Sequence, residues 1–219
     1  MNVSDAVQRR ASVRAFKPDL PPAPVVRAIL ENAARAPSGG NLQPWHVHAL
    51  AGEPLAQLLH LVATDPMQDA PEYAVYPPDL WEPYRTRRWR NAEQLYAALG
   101  IPREDRVARL QQMQKNATFF GAPVGIFLSV DRRVGPPQWA DLGIYLQTVM
   151  LLATEQGLDT CAQEYWAFRS QPVRRFLGLP PERMLFAGLA LGWRDESAPV
   201  NQWRTERDAF EAWGEMRGF

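Results

Sequence analysis

Val124-Gly125-Ile126-Phe127-Leu128-Ser129-Val130 is a near-continuous apolar run. A run this short reads as a strand buried on both faces, and such a strand lies centrally in its sheet. Met184 to Leu191 reads as a second apolar strand. Between them stands the strongest helical pattern in the chain, Trp139 to Gln156. There Leu142, Leu146, Val149, Met150 and Ala153 recur at helical spacing, and Gly157 follows at the C-terminal cap. A helix with so wide an apolar face is either core or the spine of a dimer.

The other elements arrange themselves around these three. Ser4-Asp5 can cap a short helix through about residue 10, and the basic turn Arg9-Arg10-Ala11-Ser12-Val13-Arg14 leaves it. Pro24 to Ala36 reads as an amphipathic helix carrying Val25, Val26, Ile29, Leu30, Ala33 and Ala34. The connection 36–45 delivers it to an alternating strand, His46 to Leu50, which Gly52 ends before a helix from Glu53 to about Ala63. Arg103 to Phe120 looks helical, and Leu158 to Trp166 reads as a loop. Ser170 caps a helix through Phe176, and Asp208 to Met216 forms a last helix whose N-terminus, just after Arg204 and Arg207, favours anions.

Composition narrows the function. The chain has 219 residues, 46% of them hydrophobic, which suits a single domain over 1–219 with a sizeable core. Its 24 basic and 24 acidic residues balance, so no global field points to nucleic acid or to a membrane surface. Cys161 is the one cysteine, which excludes an intrachain disulfide and fits a reducing cytoplasm. Neither a signal peptide nor an 18-residue apolar stretch is visible. His46 and His48 share a strand face, yet nothing at ligand spacing completes a metal site.

From Asp65 to Gln112 the composition shifts to Pro, Tyr, Trp and Arg, so the region around 65–120 reads as a helical excursion covering a pocket. Its cluster from Arg85 to Arg90, interleaved with aromatics, could instead bind single-stranded nucleic acid. The acidic neighbours Asp79, Glu82 and Glu93 weigh against that reading.

Two kinds of local chemistry remain. Arginine-bearing turns at opposite ends of the chain, Arg10 to Arg14 and Arg204 to Arg207, can converge guanidinium forks and the Ser12 hydroxyl on a phosphate. Between Ala36 and Trp45, Pro37 stops the helix, Gly39-Gly40 allow close backbone approach, and Asn41 and Gln43 supply amides beside the Trp45 wall. No GxSxG elbow, HExxH, Walker loop or GxGxxG is present, so a cofactor would carry any reaction. A phosphate at one end and a flat hydrogen-bonding ring at the other has the shape of flavin mononucleotide.

On four segments the chain resembles the FMN-dependent nitroreductases. They are Arg10-Ala11-Ser12-Val13-Arg14-Ala15-Phe16, the loop Ala36 to Trp45, Gly157 to Glu164, and Asn201-Gln202-Trp203-Arg204-Thr205-Glu206-Arg207. The segment Tyr84 to Pro123 looks like the nitrobenzoate reductase-like subgroup. The resemblance implies an α+β, three-layer fold with a mostly antiparallel central sheet flanked by helices, in an intertwined homodimer with FMN at the interface. It implies hydride transfer from NAD(P)H through FMN to a nitroaromatic or quinone, in ping-pong fashion. Reductive dehalogenation or flavin fragmentation is the alternative within the fold, and a nucleic-acid-binding module using Arg85 to Arg90 the alternative outside it.

Carried onto this sequence, the resemblance gives Arg10, Ser12, Arg204 and Arg207 the phosphate and ribityl tail, with Ala11 also among the cofactor-binding residues. Arg14 would lie near the N1/O2 edge of the ring. Pro37, Ser38, Gly39, Asn41 and Gln43 form the loop that would reach the partner chain's FMN, while Asn116, Gln163, Glu164 and Tyr165 would flank the ring. Ala11 replaces a larger residue common in relatives, and Tyr165 stands where some have glycine. An arginine of the excursion pairing a substrate carboxylate is a further expectation.

Overall fold

The computed structural model describes residues 1–65 and 70–219. Four strands form one sheet, β1 (His46–Ala51), β2 (Val124–Asp131), β3 (Asp159–Gln163) and β4 (Arg183–Gly192), in the order β1-β2-β4-β3. Every pairing is antiparallel, and one bulge interrupts the β2–β4 register between Leu128 and Ser129. The apolar run accordingly lies inside the sheet, buried along its length except at Asp131.

Helices cover both faces. Toward one face α2 (Ala23–Ala33) and α6 (Pro136–Glu155) pack Val26, Ile29, Leu142, Tyr145 and Val149 against Ile126, Leu128, Leu189 and Leu191. Toward the other, α3 (Gly52–Thr64), α7 (Ser170–Leu177) and two 3-10 segments pack Leu55, Leu58, Val173, Phe119 and Trp166 against Phe127, Leu185 and Ala190. The second layer owes its closeness to two glycines on neighbouring central strands. A Cβ at Gly125 would stand 2.5 Å from Phe119, and one at Gly188 would stand 2.1 Å from Trp166. The two rings stack on each other at 4.6 Å and lie against bare backbone.

Several local expectations need correction. The stretch 158–166 is not a loop: Asp159–Gln163 is the edge strand β3, whose polar and small residues disguise it. The helix expected over 208–216 shrinks to one 3-10 turn, Phe210–Ala212, so no helix N-terminus stands beside Arg207. Phe210 and Trp213 meet each other, at 4.9 Å, and both stay exposed. The N-terminal helix, α1 (Val3–Arg9), is capped by the Asn2 side chain, which accepts from the Asp5 amide at 2.8 Å, and not by Ser4-Asp5. The helix expected over 103–120 divides into α5 (Arg106–Gln114) and the 3-10 segment Lys115–Gly121. Phe119 and Phe120 there take left-handed backbone, with φ of 50° and 57°, while their rings are buried.

Within the excursion, α4 (Tyr84–Ala98) is followed by α5, whereas the described residues 70–83 form no helix. No residue of α4 is buried. Glu93 ties α4 to α5 through Arg109 at 2.7 Å, and Arg109 also lies over the Tyr96 ring at 4.2 Å. At the excursion's entry, Glu72 meets Arg132 at 2.7 Å and Arg174 at 3.6 Å, while the Tyr73 hydroxyl donates to the Phe186 carbonyl. No helix among the described residues is long and apolar enough to cross a membrane.

Candidate active site

The two arginine-bearing turns meet at the β3 edge of the sheet. Ser12 bridges Thr160 in parallel, and the Val13 amide donates to the Thr160 carbonyl at 3.0 Å, so the N-terminal turn extends that edge. Phe16 bridges Arg194 just beyond β4. Asn201 fastens the C-terminal turn to the same place. Its Oδ1 accepts from the Arg14 amide at 2.9 Å, and its Nδ2 donates to the carbonyls of Ala15 at 2.8 Å and Asp195 at 2.9 Å. The resulting cleft is lined by Arg10, Ser12, Arg14, Trp203, Arg204 and Arg207.

Its electrostatics are those of an anion site. Burial, and then the guanidiniums of Arg207 and Arg204, pull the Arg10 pKa below its ordinary value. Like charges gathered this way repel one another until an anion arrives. Arg204 donates to the Arg10 carbonyl at 2.9 Å, and Arg207 donates to the carbonyls of Thr205 and Glu206, so backbone oxygens orient the forks. A phosphate monoester, with several acceptor oxygens and up to two negative charges, fits this donor set. Cys161 lies just behind, and burial raises its thiol pKa although Arg14 and Arg10 oppose the shift. It is a packed hydrophobe, not a reactive thiolate.

The polar corner after β3 adjoins this cleft along the chain. Asn116 and Gln163, both expected beside the ring, meet each other: Gln163 Nε2 donates to the Asn116 carbonyl at 2.9 Å and to its Oδ1 at 3.1 Å. Gln163 Oε1 accepts from the Trp166 indole at 3.3 Å. The Gln163 side chain is therefore a buried strut. Glu164 reaches the surface, yet desolvation by the surrounding protein raises its carboxyl pKa. Tyr165 is half-buried, and burial raises its hydroxyl pKa as well.

The loop 37–43 lies elsewhere. The Gly39 amide donates to both oxygens of buried Asp141 on α6 at 3.3 Å, and Trp45 stacks on Tyr145 at 5.0 Å. Ser38 Oγ accepts from the Gln43 amide at 3.0 Å, and Gln43 Nε2 donates to the Asn41 carbonyl at 3.3 Å. Gly40, Asn41 and Gln43 all have left-handed φ, of 58°, 56° and 48°. Pro37, Gly39, Asn41 and Gln43 are exposed. Thr154, near the other end of α6, lines a cleft with Arg204. Asp141 and Thr154 are about 20 Å apart along a helix axis at the standard rise. One chain thus holds the loop and the arginine cluster toward opposite ends of α6.

Three participants were not singled out as site residues from sequence: Asn201, Asp141 and Trp203. Asn201 and Trp203 lie inside the fourth motif, which was the available signal; Asp141 had none. The Arg85 to Arg90 cluster is largely matched by acids. Arg85 pairs with Glu82 at 2.9 Å, Arg87 pairs with Asp208 at 2.5 Å, and Arg90 stands 3.9 Å from Glu206. Arg88 lies over the Tyr76 ring at 4.4 Å.

Several known proteins are similar to this chain along most of its length. Nitrobenzene nitroreductase of Ectopseudomonas oleovorans is 37% identical over 207 residues, covering 91% of this chain and 90% of its own length. The 4-nitrobenzoate reductase of Pseudomonas putida is 36% identical over 216 residues, covering 97% and 94%. Among solved structures, the FMN and NADPH-dependent nitroreductase NfnB of Sphigopyxis sp. strain HMH superposes with a TM-score of 0.96 at 45% identity, with all of both chains covered. The FMN-dependent NfnB of Mycobacterium smegmatis, solved with NADPH, gives 0.91 at 30% identity, covering 99% of this chain and 100% of that one. The pattern described as Nitroreductase family matches residues 7–193, and this chain belongs to that family.

Proposed function

We propose that this chain is an NAD(P)H-dependent FMN nitroreductase whose substrates are nitroaromatics of the nitrobenzene and nitrobenzoate type, with quinones as further acceptors. The observation that carries the reading is the convergence of Arg10, Arg204 and Arg207 beside Ser12 at the β3 edge. When bound, FMN supplies a two-electron carrier that takes hydride from NAD(P)H and passes reducing equivalents to the nitro group, so no side-chain nucleophile is required.

The protein's own residues hold and orient. Arg10, Arg204 and Arg207 hold the phosphate, with the Ser12 hydroxyl and the Ala11 backbone beside it. Arg14, fixed through its amide by Asn201, places positive charge at the edge of the ring where negative charge develops. The backbone of Gln163, Glu164 and Tyr165, braced by the Gln163–Asn116 contact, flanks the ring.

The site is completed in a homodimer. Pro37, Ser38, Gly39, Asn41 and Gln43 then approach the flavin of the partner chain. Support comes from the loop's own chemistry: a Cβ at Gly39 would meet open space, so packing within the chain gives no reason for glycine there. Val3 and Val7 on α1, Ile144 on α6 and Leu42 are exposed and available to a second copy. The excursion covers the open face of the ring and gates the acceptor. A reducing cytoplasm is the proposed setting, supported by the single buried cysteine.

Purified protein should be yellow, with about one FMN per chain, and should oxidise NAD(P)H when a nitroarene is supplied. Arg10→Ala combined with Arg207→Ala removes two charge-assisted partners of the phosphate. It should weaken FMN retention at least about a hundredfold. Unchanged retention would show that the anchor lies elsewhere, and a colourless protein that takes up no added FMN would end the reading.

A further inference from the structure

A second cleft adjoins the arginine cluster, between α4 and the C-terminal segment, and its volume is about 440 Å³. That size suits part of a nucleotide. Arg87, Arg90, Asn91 and Gln94 line one wall, at the i, i+3, i+4 and i+7 spacing of a single helix face. Thr205 to Asp208 and the Trp213 indole line the other. Thr205 and Arg207 belong to both this cleft and the arginine cluster, so the two are continuous.

We propose that this cleft seats the adenosine 2′-phosphate end of NADPH and makes NADPH the preferred electron donor. The inference rests on the flavin reading above. Three guanidiniums face two carboxylates here, and the pairing is uneven. Asp208 neutralises Arg87 at 2.5 Å, whereas Glu206 stands 3.9 Å from Arg90, beyond hydrogen-bond reach. The Glu206 side chain is 63% exposed, so it can swing into water when an anion takes its place. Arg90 is thereby the phosphate reader, with Arg207 at the shared wall. Trp213, 67% exposed and held by Phe210 at its edge, offers a ring face for a purine. The amides of Asn91 and Gln94 can donate and accept at the base or ribose. NADH carries only a hydroxyl at the ribose 2′ position, which gives Arg90 no charge to pair with.

The test uses FMN-loaded protein and two adenosine fragments, the 2′,5′-bisphosphate and the 5′-monophosphate, titrated by calorimetry. The bisphosphate should bind at least about tenfold more tightly, the ratio expected for one charge-assisted phosphate contact. Arg90→Gln should erase that ratio and raise KM for NADPH more than KM for NADH. Trp213→Leu should weaken both fragments alike. Equal binding of the two fragments, no binding of either, or an unchanged ratio in Arg90→Gln would overturn the assignment. The flavin-to-protein ratio of the same preparation separates the two readings: FMN retained without 2′-phosphate discrimination sinks only the cleft, while a failure to hold FMN sinks the flavin site itself.

Discussion

Gly188→Ala is a demanding test of how the candidate site is braced, because its consequences follow from distances alone. The added methyl would lie 2.1 Å from Cδ1 and 2.7 Å from Nε1 of Trp166. Carbon atoms in contact sit about 3.5–4.0 Å apart, so more than an ångström has to be opened. Trp166 has no free side to move into. It is fully buried, stacked on Phe119 at 4.6 Å and edged by Phe127 at 5.1 Å.

Overpacking of this kind costs about 1–3 kcal/mol. Moving the indole also breaks its hydrogen bond to buried Gln163, a further loss of about 1–3 kcal/mol if the acceptor finds no water. The gain from removing a strand glycine is about 0.5–1 kcal/mol and does not offset these terms. A net loss of about 3 kcal/mol corresponds to a fall in Tm of roughly 6–12 °C for a chain of this length. Thermal unfolding of FMN-free protein measures it directly, without ligand linkage. Because Gln163 braces the corner proposed to flank the ring, FMN retention should fall as well. Trp166→Leu placed in the Gly188→Ala background should cost less than the sum of the single changes, since the clash disappears with the indole. A Tm within 2 °C of the parent, or additive single and double variants, would refute the reasoning.

Two further outcomes are expected. Asn201→Ala removes three hydrogen bonds that hold the basic turn to the C-terminal segment. It should weaken FMN binding about tenfold or more while sparing the core; flavin fluorescence titration reads this, and an unaltered dissociation constant would reduce Asn201 to a turn residue. Among the described residues the buried Nδ1 of His48 has no hydrogen-bond partner, and desolvation lowers its pKa from 6.5. The unfolded chain therefore binds the proton more readily, so the associated stability is present above pH 6.5 and is lost as pH falls through and below it. His48→Gln should flatten the change in Tm between pH 7.5 and pH 5.5, and a variant whose Tm tracks the parent at both values would show that other groups set the slope.

What the sequence made legible was whatever hydrophobic burial writes into a local window. The run at 124–130 became a central strand, and the wide-faced helix became α6, because both are packed against sheet or helix along most of their length. Where local pattern and burial part, reading failed. β3 escaped notice because Asp159-Thr160-Cys161-Ala162-Gln163 carries no apolar run, and its pairing with β4 is what makes it a strand. The helix expected over 208–216 is not formed because Phe210 and Trp213 pack on each other instead of on a core, and a helix that short gains little without tertiary support. Motif likeness located the arginines at both ends of the chain; it could not disclose that Asn201 joins them across 187 residues of sequence.

The loop 36–45 shows where a single chain stops accounting for its own residues. Gly40 is explained by its left-handed backbone, and Asn41 tolerates the same region better than most residues. Gly39 is not so explained: its φ lies outside that region, and a Cβ there would touch nothing. Its amide is nevertheless held by a buried carboxylate on α6, so the backbone is fixed while the side-chain space above it is left clear. An anchored backbone with a bare outer surface is what the proposed approach of a second chain's flavin requires. The arginine cluster, toward the other end of α6 by about 20 Å, presents guanidiniums that form no ion pair among the described residues. In the homodimer proposed above, each loop would meet the other chain's cluster, and each feature would then account for what the other lacks.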